Sequence, residues 1–335
     1  MSRDQIYAVL KISAVLMGIS AAIVLALPSL FALTIGQDQG YTMASGQFPV
    51  TVDSKHKTIA EDARVNAFLA SPNSPLQAAV GNTGDTLWKV FAWIATMIDD
   101  SAWYRSIAAV DGQFVTIAPG MRKEQVASTF ASALSWNAAQ KKKFLAASST
   151  LPLLEGSFSP GTYVVTAGMT PEEARGLVNK RFTDDVLSHY GTTTAKMVPL
   201  DEALTVASLI QRETIGTSDM RLVSGVIWNR LFAGMNLQID STLQYAKANT
   251  AASTSWWPRV VPADMYRRSP YNTYLHPGLP PTPIANPSVA AIVAALNPIQ
   301  TSCLFYFNDA AGDIHCTDTY AEHVALLKKY YGRGK

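Results

Sequence analysis

Glu213 is the residue whose type and placement most plainly suit proton transfer. In the segment DEALTVASLIQRET, Val206, Leu209, Ile210 and Glu213 fall at i, i+3, i+4 and i+7, so on a helix the carboxyl continues the apolar face. Desolvation on such a face raises a carboxyl pKa and keeps the group protonated near neutral pH, the condition for a general acid. The competing reading of the spacing is an end-of-helix Glu paired with Arg212 or a later Arg, since Gly216 soon ends the helix. Periodicity alone leaves both open.

Other chemistries find little support. Five histidines and two cysteines, without CxxC or HExxH spacing, argue against zinc. No Gly-rich phosphate loop is present, so no nucleotide cofactor is expected. A formal charge of +2 with 16% charged residues gives no basic excess for nucleic acid. With 335 residues, 48% of them hydrophobic, the chain has room for packed cores in about two domains.

Several elements must position Glu213. Asp201 and Glu202 place negative charge in the first turn of its helix. A helix ahead of it starts at Thr170-Pro171-Glu172-Glu173, with Thr as N-cap, Pro at N1 and Glu at N3. The next helix is predicted from Ser218 through SDMRLVSGVIWNRLFAG, with Gly234 as the C′ residue. Asn286-Pro287 reads as N-cap and N1 of SVAAIVAAL, and Thr319 with Glu322 as a capping box for the last helix. Farther upstream, QFVTI, RKEQVASTFASAL, AAQKKKFLAAS and GTYVVT give a strand, two helices and a strand. This βααβ order over residues 111–167 resembles a LysM-like module, which implies either glycan binding or a rigid spacer.

The N-terminal part reads as an anchor. From Ile12 to Ile35 the sequence carries no charge. About 24 residues rise roughly 36 Å, enough to span a bilayer with tilt, and longer than the apolar region of a removable signal peptide. Arg3 and Lys11 precede the span and no Lys or Arg follows until Lys55, so the N-terminus is expected inside and the rest outside the cytoplasmic membrane. Residues 37–82, rich in Gln, Ser, Thr, Gly and Asn, read as a surface segment or linker. Leu87–Ile98, LWKVFAWIATMI, is too short to span and reads as a buried or an interfacial helix. In CLFYFNDAAGDIHC a hairpin turns around Asp309–Gly312, and Cys303 and Cys316 are either bridged across it or two buried thiols.

Taken together, ASLIQRET, VIWNRLFAGMNLQIDSTLQY, SPYNTYLHPGLPPTPIANPS and TYAEH resemble the MltG/YceG-like endolytic murein transglycosylase family over about residues 168–331. GSFSPGTYVV extends the likeness more loosely upstream. The family's ASIVEKET-type segment carries its catalytic Glu at the second acidic position, which matches Glu213; the first is Gln211 here. A second departure is His315-Cys316-Thr317, where the family often has a His followed by an aromatic.

The resemblance implies a mixed α+β fold with residues 168–335 as the catalytic domain, after a tail and anchor at 1–36, a variable segment at 37–110 and the module at 111–167. It also implies lytic cleavage of the β-1,4 bond between N-acetylmuramic acid and N-acetylglucosamine, ending in 1,6-anhydromuramic acid. The expected partners are peptidoglycan strands, the membrane and peptidoglycan synthases. Asn229, Gln238 and Asp240 fall in motif positions suited to lining a sugar site, with Tyr271, Asn272, Thr273 and Tyr274 as a second cluster. Asn229 and Arg230 equally suit satisfying backbone groups at a helix end, and Pro280, Pro281, Pro283 and Pro287 suit a rigid loop. A lysozyme-like hydrolase using Asp240 as second carboxylate, or a non-catalytic wall-binding scaffold, are the competing functions.

Overall fold

A computed structural model describes residues 46–70, 112–146, 155–248 and 255–332. The proposed membrane span at 12–35 and the segment Leu87–Ile98 lie outside these residues. Among the described residues no helix is long and apolar enough to cross a membrane.

The order of elements is mixed α/β. Strands β1 (Val52–Asp53) and β2 (Thr58–Ile59) precede helix α1 (Ala63–Ala70). Strand β3 (Gly112–Ile117), helices α2 (Lys123–Leu134) and α3 (Ala138–Leu145) and strand β4 (Gly161–Thr166) follow. Then come helices α4 (Pro171–Asp185), α5 (Thr192–Met197), α6 (Leu200–Glu213), α7 (Met220–Phe232), α8 (Asp240–Ala248) and α9 (Val289–Leu296). Strands β5 (Phe305–Asn308) and β6 (Ile314–Thr317) and helix α10 (Tyr320–Tyr331) close the chain. Each sheet is an antiparallel pair, β1 with β2, β3 with β4 and β5 with β6.

The strand–helix–helix–strand order is present, with Gly112 opposite Thr166 and Ile117 opposite Gly161. Period-2 alternation turns Val115, Ile117, Tyr163 and Val165 inward, where Val126, Phe130 and Phe144 of the two helices cover them. Phe130 stacks on Phe144 at 5.0 Å between ring centroids, and Trp136 donates its indole N–H to the Met169 carbonyl.

Helix α6 is the centre of the larger lobe. From Ala203 to Ile210 it is buried on all sides, packed mainly on α9 and α7. The small residues of VAAIVAAL let α9 approach closely, and Trp228 of α7 fills the remaining volume and donates to the Ala295 carbonyl. Thr170 and Glu173 form the expected reciprocal cap on α4, as do Thr319 and Glu322 on α10.

Two expectations are corrected, and a third is sharpened. Helix α7 begins at Met220 with Asp219 at the N-cap, without the Ser218 side-chain cap. Helix α9 is capped by Ser288, whose hydroxyl accepts from the Ala291 N–H, because the Asn286 side chain is committed elsewhere. Residues 46–70 lie largely on the surface but are docked at a few points. Phe48, Val52 and Leu69 are buried, and the backbone docks through Phe48 N–H to His189 O and Thr51 N–H to Leu296 O. A few apolar side chains suffice to hold a polar segment when its backbone groups also find partners.

Candidate active site

Glu213 is the last residue of α6, and three separate elements meet at its carboxyl. Ser241, in the first turn of α8, donates its hydroxyl to Oε1 at 2.8 Å. Tyr306, on β5, donates its phenol to Oε2 at 3.1 Å. The Ser241 backbone N–H adds to the hold, so the carboxyl sits at the positive end of α8. Surrounding protein raises the Glu213 pKa by desolvation, the hydrogen bonds from Ser241 and Tyr306 oppose the rise, and the nearby charge of Asp240 adds to it. Yet part of the side chain remains open to solvent. A carboxyl that is desolvated but not sealed can stay protonated and still be reached by a ligand.

Arg212 does not pair with Glu213. Its guanidinium lies over the Trp257 ring at 3.9 Å, and burial pulls its pKa down. Gln211, standing where the resemblance places a first acidic residue, accepts from the Ser288 N–H and hydroxyl, which fastens the end of α6 to the start of α9.

The other candidate residues separate into two groups. Asp240 is exposed and accepts the Tyr274 hydroxyl at 2.7 Å, and Gln238 is exposed on a left-handed backbone with φ of 56°. Asp240 and Tyr274 lie close enough to Glu213 to feel its charge, while Gln238 accepts from the Arg230 guanidinium at 3.2 Å. Asn229, Asn272 and Thr273 are committed to other parts of the fold. The Asn229 amide donates to the Thr301 and Cys303 carbonyls, and that of Asn272, 0% exposed, to the Met265 and Arg267 carbonyls. Thr273, 2% exposed, donates or accepts at Thr242 and receives the Ile239 N–H. Their polar atoms satisfy groups within the fold, the structural role the sequence left open for Asn229. Tyr271 is half-buried, packed at a tilt against the Tyr245 ring with centroids 4.7 Å apart, and bonded to Thr282.

The structure also shows residues the sequence reading did not single out. Ser241 and Tyr306 are two, separated from Glu213 by 28 and 93 positions. Glu155 is another carboxyl, 3% exposed, whose pKa burial pushes up to about 8, with repulsion from Glu124 adding to the shift. It accepts from the Lys123 N–H, the Asn286 amide and the Tyr245 hydroxyl, at 2.8, 3.3 and 3.4 Å. Asn286 completes this junction by accepting the Gly156 and Phe158 N–H groups and donating to the Met121 carbonyl. The one sequence signal for Glu155 was its place directly before the GSFSPGTYVV motif. Cys303 and Cys316 are joined by a disulfide, with Cα atoms 5.7 Å apart. Among the described residues no cluster of His, Cys, Asp or Glu suits a metal ion.

The mixed α/β scaffold thus presents one desolvated, hydroxyl-bound and half-buried carboxyl, the candidate acid/base group of the molecule. The YceG-like family model matches residues 88–329, and the chain belongs to that family. It is similar to the endolytic murein transglycosylase of Bacillus subtilis, 33% identical over 181 residues, which are 53% of this chain and 48% of the relative. The endolytic murein transglycosylase of Streptococcus pneumoniae is 30% identical over 171 residues, 51% of this chain and 31% of the relative. The chain thus spans half or less of the curated relatives it matches. The structure of a yceG-like protein from Listeria monocytogenes superposes with a TM-score of 0.53 at 25% identity, covering 64% of this chain and 75% of that one.

Proposed function

We propose that this protein is a peptidoglycan lytic transglycosylase that cleaves the β-1,4 bond between N-acetylmuramic acid and N-acetylglucosamine within glycan strands, with Glu213 as its acid and base. The observation that carries the reading is the state of Glu213: desolvated, gripped by two hydroxyls and still open on one side. In the neutral form it donates its proton to the leaving glycosidic oxygen. As a carboxylate, steadied by Ser241 and Tyr306, it then accepts the proton of the muramic acid C6 hydroxyl while that oxygen bonds to C1. The product is a 1,6-anhydro end, and because the nucleophile belongs to the substrate no second carboxylate is needed to activate water. Gln238, Asp240 and Tyr274 supply amide, carboxylate and phenol groups for the sugars at the rim.

Further parts of the reading rest on sequence. The uncharged stretch from Ile12 to Ile35 supports a single-pass anchor with the body outside the membrane, next to newly made strands and their synthases. The βααβ unit supports a glycan-binding module. Digestion of purified glycan strands with the full chain, followed by mass analysis of the product ends, tests the activity. Anhydromuramic ends that disappear in Glu213→Gln are expected; reducing muramic ends would assign a hydrolase instead.

A further inference from the structure

The hairpin β5–β6 contributes one polar side chain to the acid, and the fold takes unusual care over its root. Tyr306 stands opposite Cys316 in the ladder, and Cys316 is bonded to Cys303 just ahead of the strand. Helix α7 holds the same root from below: Asn229 donates to the Cys303 carbonyl and Arg230 to the Leu304 carbonyl. Arg230 also lies under the Phe305 ring, at 5.0 Å from its centroid. Tyr306 is therefore fixed through the chain just ahead of it and across the ladder. Burial and the adjacent Glu213 charge both oppose loss of its phenolic proton, so it remains a donor at any pH the protein meets.

We propose that Tyr306, clamped by the Cys303–Cys316 bridge, is a positioning residue for Glu213: by occupying Oε2 while Ser241 occupies Oε1, it stops the carboxyl from rotating and fixes the direction in which it meets a ligand. This rests on the acid/base reading of Glu213. A carboxyl held at one oxygen alone can turn about its terminal torsion, which is broad and nearly two-fold. Held at both, it presents the same lone pairs before and after proton transfer. The same bond favours the carboxylate, so its loss raises the pKa of Glu213. That sign separates positioning from a general loosening of the fold.

The test uses the full chain in two measurements. One is the rate of anhydro-end release; the other is the carboxyl titration of Glu213 by carbon NMR, its signal assigned through Glu213→Gln. In Tyr306→Phe, which keeps the ring and its packing, kcat is expected to fall about tenfold, as for loss of a hydrogen bond to a charged group, with KM within about twofold. The Glu213 titration should move upward, and with it the alkaline limb of kcat/KM. Reduction by dithiothreitol, or Cys303→Ser with Cys316→Ser, should move both readouts the same way by less, and add nothing in the Tyr306→Phe background. A folded Tyr306→Phe with an unmoved titration overturns the proposal, and a cysteine effect undiminished in that background overturns the clamp. If the wild-type chain releases no anhydro ends the acid/base reading fails, while the titration still decides whether Tyr306 holds the carboxyl.

Discussion

Two carboxyl groups in this molecule, Glu213 and Glu155, are both pushed up by burial, yet their surroundings differ in kind. Glu155 is sealed. Its donors are a backbone N–H, an amide and a phenol, from the start of α2, the loop before α9 and the middle of α8, so it ties the βααβ unit to the larger lobe. Above it the Arg122 guanidinium covers the Tyr245 ring at 4.1 Å. Glu213 is held by hydroxyls and keeps an open side. A raised pKa therefore does not by itself mark an acid that works on a substrate; access separates the two.

The largest effect that sharpens this contrast belongs to Glu213→Gln. Its rate of anhydro-end release should fall by about 10²–10⁴-fold, the usual contribution of general acid–base catalysis, while its melting temperature stays near wild type. Glu155→Ala should do the reverse. Leaving buried donors without an acceptor costs about 2 kcal/mol of stability, read by denaturant unfolding, with the rate per folded molecule within about threefold of wild type. A large rate loss in folded Glu155→Ala would break the comparison.

A pH series sharpens it further. The unfolded chain ionises Glu155 near 4.5 and the folded chain near 8. Its contribution to stability is complete below 4.5, declines as pH rises toward about 8 because only the unfolded state releases the proton, and is level above. Glu155→Gln should remove that part of the slope, so its melting temperature varies less between pH 5 and 8. The smallest expected effect is that of Asp240→Asn. It removes a charge that raises Glu213, so the alkaline limb of kcat/KM should move down, with kcat within about threefold. Loss of nearly all activity would instead make Asp240 a second catalytic carboxylate and favour hydrolysis.

The parts legible in the sequence are those set by neighbours along the chain. The Thr170 cap, the β5–β6 turn and the helix carrying Glu213 all follow from spacing within a few residues. The companions of Glu213 were hidden because they arrive from distant positions: nothing local distinguishes Ser241 from the other hydroxyls of α8, or Tyr306 from the rings beside it. Asn229, Asn272 and Thr273 were ambiguous in the sequence for a related reason. The amides and hydroxyls that suit a sugar also suit a stranded carbonyl, and burial alone tells which they serve. The docking of residues 46–70 was obscured by composition, since Phe48, Val52 and Leu69 are few among polar neighbours.

With the proposed anchor, that docking would set the length of a leash. On the proposed topology the lipid releases the chain near Ile35, and Phe48 is already fastened to His189. Fully extended, the stretch between them reaches at most about 45 Å. The attachment point cannot stray farther than that from the bilayer surface, so the protein would patrol a thin shell of wall. Lengthening the stretch with inserted glycines and serines, rather than altering any residue at the site, would let it cut strands farther out.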